Sequence, residues 1–556
     1  MQNDGSSKIH DIYQVGKILT SCCGTICSTA DWLPSCRTRE GLHIVSSRTK
    51  YSFINVLTST GARFATLLSS FLVRTVLIYA LGEEYVGVES VVASFMQLLS
   101  LSELGLGSAV LFRLYKPAKN KDRMATLMYL AFLKKAYLVI GAAVLILGFA
   151  FSFSLPALTR DLTISTIEIH LIFWAYVVQM ALSYWLLSYR HAIFQANQKG
   201  YVVTAFNTGG VLIGSIGQMI LYVVFHNYLA GLVFSLSCLT LAGLLAAQYA
   251  RKKYPLVTET KFAPKLTGPE KKSLIKDIYA LSLTKLCKVS NKSVGTIVIS
   301  SFSGAVQAGF FSNYQMIMTS VDSLLTTAFS SITASVGNLN ATEDDRLKND
   351  AFQKLNFLMF FILAICGACV WNLTNPFVEL VWGSAFLLSQ WVVLAIAIYI
   401  VVSGFLLVIA SFKEGSGIFW QGRYRPLIGF IFNIVFSIVF MQFWGIVGVI
   451  WTAVLSRVLT ESWFDPLLVH KHTLHRSPKL YFFRTGYYML LIVVSMLISG
   501  AACAVLPFHG ALELFANLLV SVLVPFLLLS LIFWKTKEYA YYRSLAKSLL
   551  RKHPTS

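Results

Sequence analysis

Five cations lie inside stretches long and apolar enough to cross a bilayer. Arg63 and Arg74 belong to the run FINVLTSTGARFATLLSSFLVRTVLIY at 53–79, and Lys285, Lys288 and Lys292 belong to another at 277–300. Arg63 and Arg74 are eleven residues apart, about three helical turns, so they share a face. The three lysines follow an i, i+3, i+7 spacing and share a face too. A cation at membrane depth costs at least a few kcal/mol, so it normally faces a partner or a wet cavity. Two acids offer partners: Glu103 at about the depth of Arg63, and Asp322 at about that of Lys292. Pairing them leaves a surplus of roughly three positive charges, which a dry core does not tolerate. The reading adopted is a hydrated cationic cavity, with Glu103 and Asp322 as cavity acids or ion-pair partners. Its natural occupant is anionic, because guanidinium and ammonium groups bind phosphate oxygens through charge-assisted hydrogen bonds. The alternative is snorkelling, Arg74 outward and Lys285 inward, each within about 10–15 Å of a helix end.

The elements that carry these residues follow from composition. Hydrophobic residues make up 56% of the 556, charged residues only 13%, and the mean hydropathy is +0.66. Apolar runs recur almost to the end without strand-like alternation, so the expected class is an all-α polytopic membrane protein, not a β-barrel. About fourteen spans are expected, at 53–79, 86–112, 124–151, 164–188, 202–225, 229–249, 277–300, 305–337, 352–373, 386–411, 426–443, 445–464, 485–506 and 512–534, the eleventh and twelfth meeting in a one- or two-residue turn. The formal charge of +21 reads as basic cytoplasmic loops facing anionic lipid, with no nucleic acid partner. Alternate connections hold 36 Lys/Arg, while the opposite set holds one, Arg160. Both termini are therefore expected inside.

The chain also repeats. LGEEYVG carries Gly82 and Gly87, and SGAVQAG carries Gly304 and Gly309 at an offset of 222. AIFQANQKGYVVTAFN and GIFWQGRYRPLIGFIFN match at offsets of 225 and 226. Two six-helix halves explain twelve spans, and an even number makes the repeat parallel. The offset puts Lys285 in the place of Arg63 and Thr296 in that of Arg74. The expected organisation is a polar, mobile cytoplasmic tail (1–50), an N-terminal six-helix lobe (51–250), a basic cytoplasmic linker (251–276), a C-terminal six-helix lobe (277–464), a second basic linker (465–484), helices thirteen and fourteen (485–534) and a basic cytoplasmic tail (535–556).

Weaker signals point less far. Cys22, Cys23, Cys27 and Cys36 fit no standard zinc spacing. HKHTLH, with His470, His472 and His475, reads better as a basic interfacial loop than as a metal site. ELGLGSA suits close helix contact, Lys134 and Lys135 read as snorkelling, and Arg457 and Glu461 form an i, i+4 pair. There is no GxxxxGK[ST], HExxH or GxSxG, and no metal or cofactor is expected. The expectation is a protein that is not an enzyme.

Several blocks resemble a known family. LGEEYVGVESVVASFMQLLSLSELGLGSAVLFRLYKP, SNYQMIMTSVDSLLTTAFSSITASVGNLNAT, NPFVELVWG and GIFWQGRYRPLIGFIFNIVFSIV resemble Wzx-type polysaccharide flippases, of the multidrug/oligosaccharidyl-lipid/polysaccharide superfamily. The resemblance covers about residues 51–470. It implies two six-helix lobes around a central cavity, two further helices, a place in the cytoplasmic (plasma) membrane, and oligosaccharide on undecaprenyl diphosphate as cargo for surface polysaccharide synthesis. A polysaccharide polymerase and other export machinery would be partners. Family members often carry an Asp-Asn pair in span seven, where this chain has Gly295 and Thr296. That departure removes an acid and places ion coupling through this site in doubt. A drug or small-molecule exporter on the same scaffold is the alternative, disfavoured because such cargo wants net acid in the cavity. A membrane glycan polymerase or ligase is the second alternative, disfavoured by outer turns too short to hold a catalytic domain.

Overall fold

The computed structural model describes residues 39–551, apart from 104, 265, 341–343, 417, 419–420 and 423. Within them the chain is helical, with no strand, and eleven helices are long and apolar enough to cross a membrane. The protein is a polytopic all-α membrane protein, the class whose backbone polar groups are all satisfied within each segment. Spans seven (Gly268–Ser303) and eight (Ala305–Asn340) are long helices that fall outside those eleven. One of the eleven, Arg425–Leu474, holds two crossings. Its backbone leaves helical geometry at Gly445 (φ 59°, ψ −142°), in the left-handed half of the map where a side chain would strain. The chain reverses there, and Ser456 Oγ donates to the Gly429 carbonyl at 2.9 Å. Twelve of the fourteen expected spans are thus long and apolar enough to cross, and a helix stands at the place of each of the other two.

The repeat is written in the backbone. Gly82 ends span one at φ 89°, ψ 179°, and Gly304 ends span seven at φ 93°, ψ 167°. Five residues on, Gly87 and Gly309 meet each other. A Cβ on Gly309 would lie 2.8 Å from Gly87 N, and one on Gly87 would lie 2.7 Å from the Ala305 carbonyl oxygen. Only glycine permits backbones this close.

Span two differs from expectation, because it is not one helix. Glu83–Leu99 passes through a tight turn at Ser100–Glu103, Gly105 takes φ 74°, and a new helix runs Leu106–Asn120. The small residues of ELGLGSA thus serve a break as well as a contact.

Two compact units emerge. One reaches through Ser312 and takes in Asn433–Gly445; the other holds Asn313–Phe432 and the chain from Ile446 onward. Span seven, expected to open the C-terminal lobe, packs inside the first unit. Ser293 Oγ donates to Gln97 Oε1 (3.2 Å), Ser300 Oγ to the Leu158 carbonyl (2.6 Å), and Asp161 accepts from the Ala305 and Val306 amides (2.8 and 3.1 Å). Span one lies along span five, fixed near its start by Asn55, which donates to the Gln198 carbonyl and accepts from the Tyr201 amide, both at 2.8 Å. The linker 251–276 is also tied down, through Arg123 Nη2 and Glu259 Oε2 at 2.5 Å. In the second unit, span ten (Gln390–Gly415) is buried nearly all round, as its unbroken apolar sequence requires. The last two helices dock on span nine (Asp345–Trp382), where Asn372 Nδ2 donates to Ser499 Oγ (3.0 Å) and Ser521 Oγ (2.9 Å).

Candidate functional site

The first-unit cations meet two different surroundings. Arg63 is exposed along span one. Arg74, three turns on, is half-buried, and its Nη1 sits 3.7 Å from Glu89 Oε2. Glu89 was not singled out in the sequence, yet the signal was there. Arg74 precedes Gly82 by eight residues and Glu89 follows it by seven, so at 1.5 Å per residue two helices reversing at Gly82 bring them level. Around the pair, the rings of Tyr85 and Tyr228 stack at 4.9 Å and those of Tyr222 and Tyr228 at 5.5 Å. Gln218 Nε2 donates to Tyr222 Oη at 2.6 Å, and Tyr85 Oη donates to Glu168 Oε1 at 2.9 Å.

Glu103 lies in the turn that breaks span two. The hydroxyl of Tyr137 donates to its Oε1 at 3.3 Å, and a Cβ at Gly107 would come within 2.7 Å of both oxygens. Its described bond is therefore to a phenol.

Lys285, Lys288 and Lys292 fall on the helix Gly268–Ser303, and their side chains lie outside the described residues. The N-terminal end of that helix is well defined. Thr267 and Glu270 form a capping box, with Glu270 Oε2 accepting from the Thr267 hydroxyl (2.7 Å) and amide (3.1 Å). These bonds hold the Glu270 carboxyl below its ordinary range. Eight residues before Lys285, Asp277 accepts from Arg113 Nε at 3.1 Å and also pairs with its Nη2, which donates further to Ser273 Oγ at 2.8 Å. Thr296, at the place equivalent to Arg74, is buried.

In the second unit, Asp322 is half-buried on span eight and lies in the field of Arg457. Arg457 is not simply neutralised by Glu461. Its Nη1 donates to Ser403 Oγ (2.8 Å), its Nη2 to Tyr399 Oη (2.7 Å), and the guanidinium lies 4.5 Å from the centre of the Tyr399 ring. Glu461 is 3.8 Å from Arg425. Arg425 also pairs with Asp465, whose Oδ1 accepts from Lys413 Nζ at 2.9 Å. Sequence spacing missed this network because Lys413, Arg425 and the acids Glu461 and Asp465 come from three separate segments.

The HKHTLH histidines do not converge. His470 is buried with Nδ1 2.8 Å from the Pro466 carbonyl, His475 Nδ1 lies 3.1 Å from Asp345 Oδ2, and no cluster among the described residues could hold a metal ion.

No family model matches the chain, and no curated protein matches it by sequence. Solved structures do match in three dimensions. One described as the lipid II flippase MurJ, in an inward closed conformation, is 15% identical with a TM-score of 0.62, over 86% of this chain and 98% of that one. An inward-facing multidrug resistance MATE family transporter of the MOP superfamily is 11% identical with a TM-score of 0.58, over 75% and 98%. An outward-facing MATE family transporter is 12% identical with a TM-score of 0.50, over 75% and 95%. These neighbours are a flippase and transporters, not enzymes, and the chain shares their fold.

Proposed function

We propose that this protein is a flippase that moves undecaprenyl-diphosphate-linked oligosaccharide from the inner to the outer leaflet of the cytoplasmic membrane, supplying surface polysaccharide synthesis. The observation that carries the reading is the repeat register. Gly82 and Gly304 share one backbone conformation at an offset of 222, so Arg63 and Lys285 occupy equivalent places on the first helix of each half. Two equivalent cations suit a diphosphate, which presents two anionic groups. Lys288 and Lys292 extend the cationic face of span seven. Arg74 stands apart, because Glu89 already compensates its charge. Alternating access by rocking of the two halves would expose the diphosphate first to the inner and then to the outer leaflet, with the polyprenyl tail remaining in lipid.

The test is Arg63→Ala and Lys285→Ala, each scored for surface glycan and for the amount of folded protein in the membrane. Both variants should lose surface glycan at unchanged protein level. Normal export in both would return these cations to snorkelling and remove the cargo assignment. Transfer of glycan from lipid-linked donor by the purified protein would instead favour a polymerase or ligase.

A further inference from the structure

Between spans twelve and thirteen lies an open surface pocket of about 570 Å³ whose lining includes Trp463, Phe464, Leu467, Lys471, His475 and Arg476. Its walls come from the short helix Phe464–Val469 and the wide turn His470–Leu474. His475 then takes a left-handed backbone (φ 49°), and the Arg476 amide returns to the His470 carbonyl at 3.1 Å. The buried ring of His470 packs edge-on against Phe352, at 5.4 Å between centroids, and fixes the floor.

The wall and the rim have opposite chemistry. Trp463 and Leu467 present apolar surface outward, 50% and 38% exposed. Lys471 and Arg476 are exposed, and their side chains make no ion pair or hydrogen bond among the described residues. Nearby acids are already engaged: Asp345 by His475 and Lys348 (3.1 and 3.4 Å), and Asp465 by Lys413 and Arg425. Two uncompensated cations therefore stand over an apolar wall, where one transmembrane helix ends and the next, Lys479–Ala504, begins. A tryptophan beside basic residues at a span end belongs to the membrane interface, and the volume lies in the range of small-ligand sites. A soluble anion would gain nothing from the indole and leucine wall, whereas a phospholipid uses both surfaces.

We propose that this pocket seats the headgroup of an anionic phospholipid of the cytoplasmic leaflet. The phosphate lies between Lys471 and Arg476, and the first acyl carbons lie against Trp463 and Leu467. The site is separate from the cargo cations and stands whether or not the cargo is a lipid-linked glycan.

The test uses the delipidated full-length protein in detergent, with phosphatidylglycerol, phosphatidylcholine and water-soluble glycerol phosphate as probes, and lipid adducts counted by native mass spectrometry. K471A/R476A should weaken phosphatidylglycerol binding about tenfold, each basic group near an anionic headgroup contributing to the attraction. K119A/K121A, which removes two exposed lysines elsewhere on the inner side, should change it less than twofold. The idea is overturned if K471A/R476A binds as the unmodified protein does, if both pairs weaken binding equally, or if glycerol phosphate binds as tightly as the lipid. A second measurement needs no charge variant. Brominated phosphatidylglycerol should quench tryptophan fluorescence less in W463F than in the unmodified protein, and equal fractional quenching would also overturn it.

Discussion

Replacing Arg457 by alanine should be among the most damaging single changes in the second unit, and the reason can be worked from its contacts. The guanidinium donates to Ser403 Oγ and Tyr399 Oη and lies over the Tyr399 ring. Hydrogen bonds from a charged donor contribute about 1.5–3 kcal/mol each, so two lost together amount to roughly 3–6 kcal/mol. Asp322 and Glu461 also lose the positive charge in whose field they sit. Breaking a buried charge arrangement from one side costs about 3–5 kcal/mol, which overlaps the first figure and is not added to it. About 4 kcal/mol is therefore the working value. For a unit of roughly 230 residues, at 2–4 °C per kcal/mol, that lowers Tm by about 10 °C. Thermal unfolding of the detergent-solubilised protein, followed by tryptophan fluorescence at one fixed scan rate, reads the shift.

A double-mutant cycle then separates hydrogen bonding from charge compensation. If Arg457 compensates Asp322, D322N/R457A should be less destabilised than the sum of the two single variants by about 1 kcal/mol. Strict additivity would assign the loss to Tyr399 and Ser403 alone. A Tm for Arg457→Ala within two degrees of the unmodified protein would refute the burial argument altogether.

Three further outcomes follow from other features. Gly309→Ala forces a Cβ to within 2.8 Å of Gly87 N, so it should destabilise by about 1–3 kcal/mol, while Gly61→Ala, where a Cβ meets nothing, should be neutral or slightly stabilising in the same melt. The Glu270 carboxyl titrates below its ordinary range in the folded chain because it accepts from Thr267. Its contribution to the start of span seven is therefore present above the unfolded pKa and lost as pH falls through the lowered one. Amide exchange at 267–271, corrected for intrinsic pH effects, should rise on acidification below that range and become insensitive to it in Thr267→Ala. Finally, moving about two negative charges outward is favoured by roughly 2.3 kcal/mol per charge per 100 mV. An ionophore that collapses the potential but leaves ΔpH intact should therefore slow export, and an unchanged rate would sink the electrical drive.

Most of the fold was legible because its signals are one-dimensional. A span is a run of apolar residues, and the turn at Gly445 is one glycine between two such runs, so both survive any tertiary context. The repeat was legible for a related reason: a left-handed backbone position needs glycine, and Gly82 and Gly304 record it in the sequence. The break in span two was not legible. Hydropathy continues across Ser100–Leu106, and a glycine inside an apolar run reads equally as close packing or as an interruption. The placement of span seven with the first unit was hidden as well, since a repeat gives the equivalence of two halves but not which helices touch.

Charges were harder to read than helices because their partners come from other segments. Arg74 and Glu89 could be matched by counting outward from Gly82, since one turn joins them. Arg457 could not. Its spacing from Glu461 suggested a local pair, yet Ser403 and Tyr399, more than fifty residues away, hold the guanidinium, and Arg425 draws Glu461 to the other side. The correction matters for cargo. Arg74 faces Glu89 and Arg457 donates to Ser403 and Tyr399, so protein groups already stand against both cations. What separates Arg63 from them is its exposure on span one, and what gives that exposure meaning is Lys285 at the equivalent place of the second half. Arg63 and Lys285 are therefore the residues on which the proposed function stands or falls. A variant that abolishes export from Arg74 alone would count for packing around Glu89 before it counted for cargo.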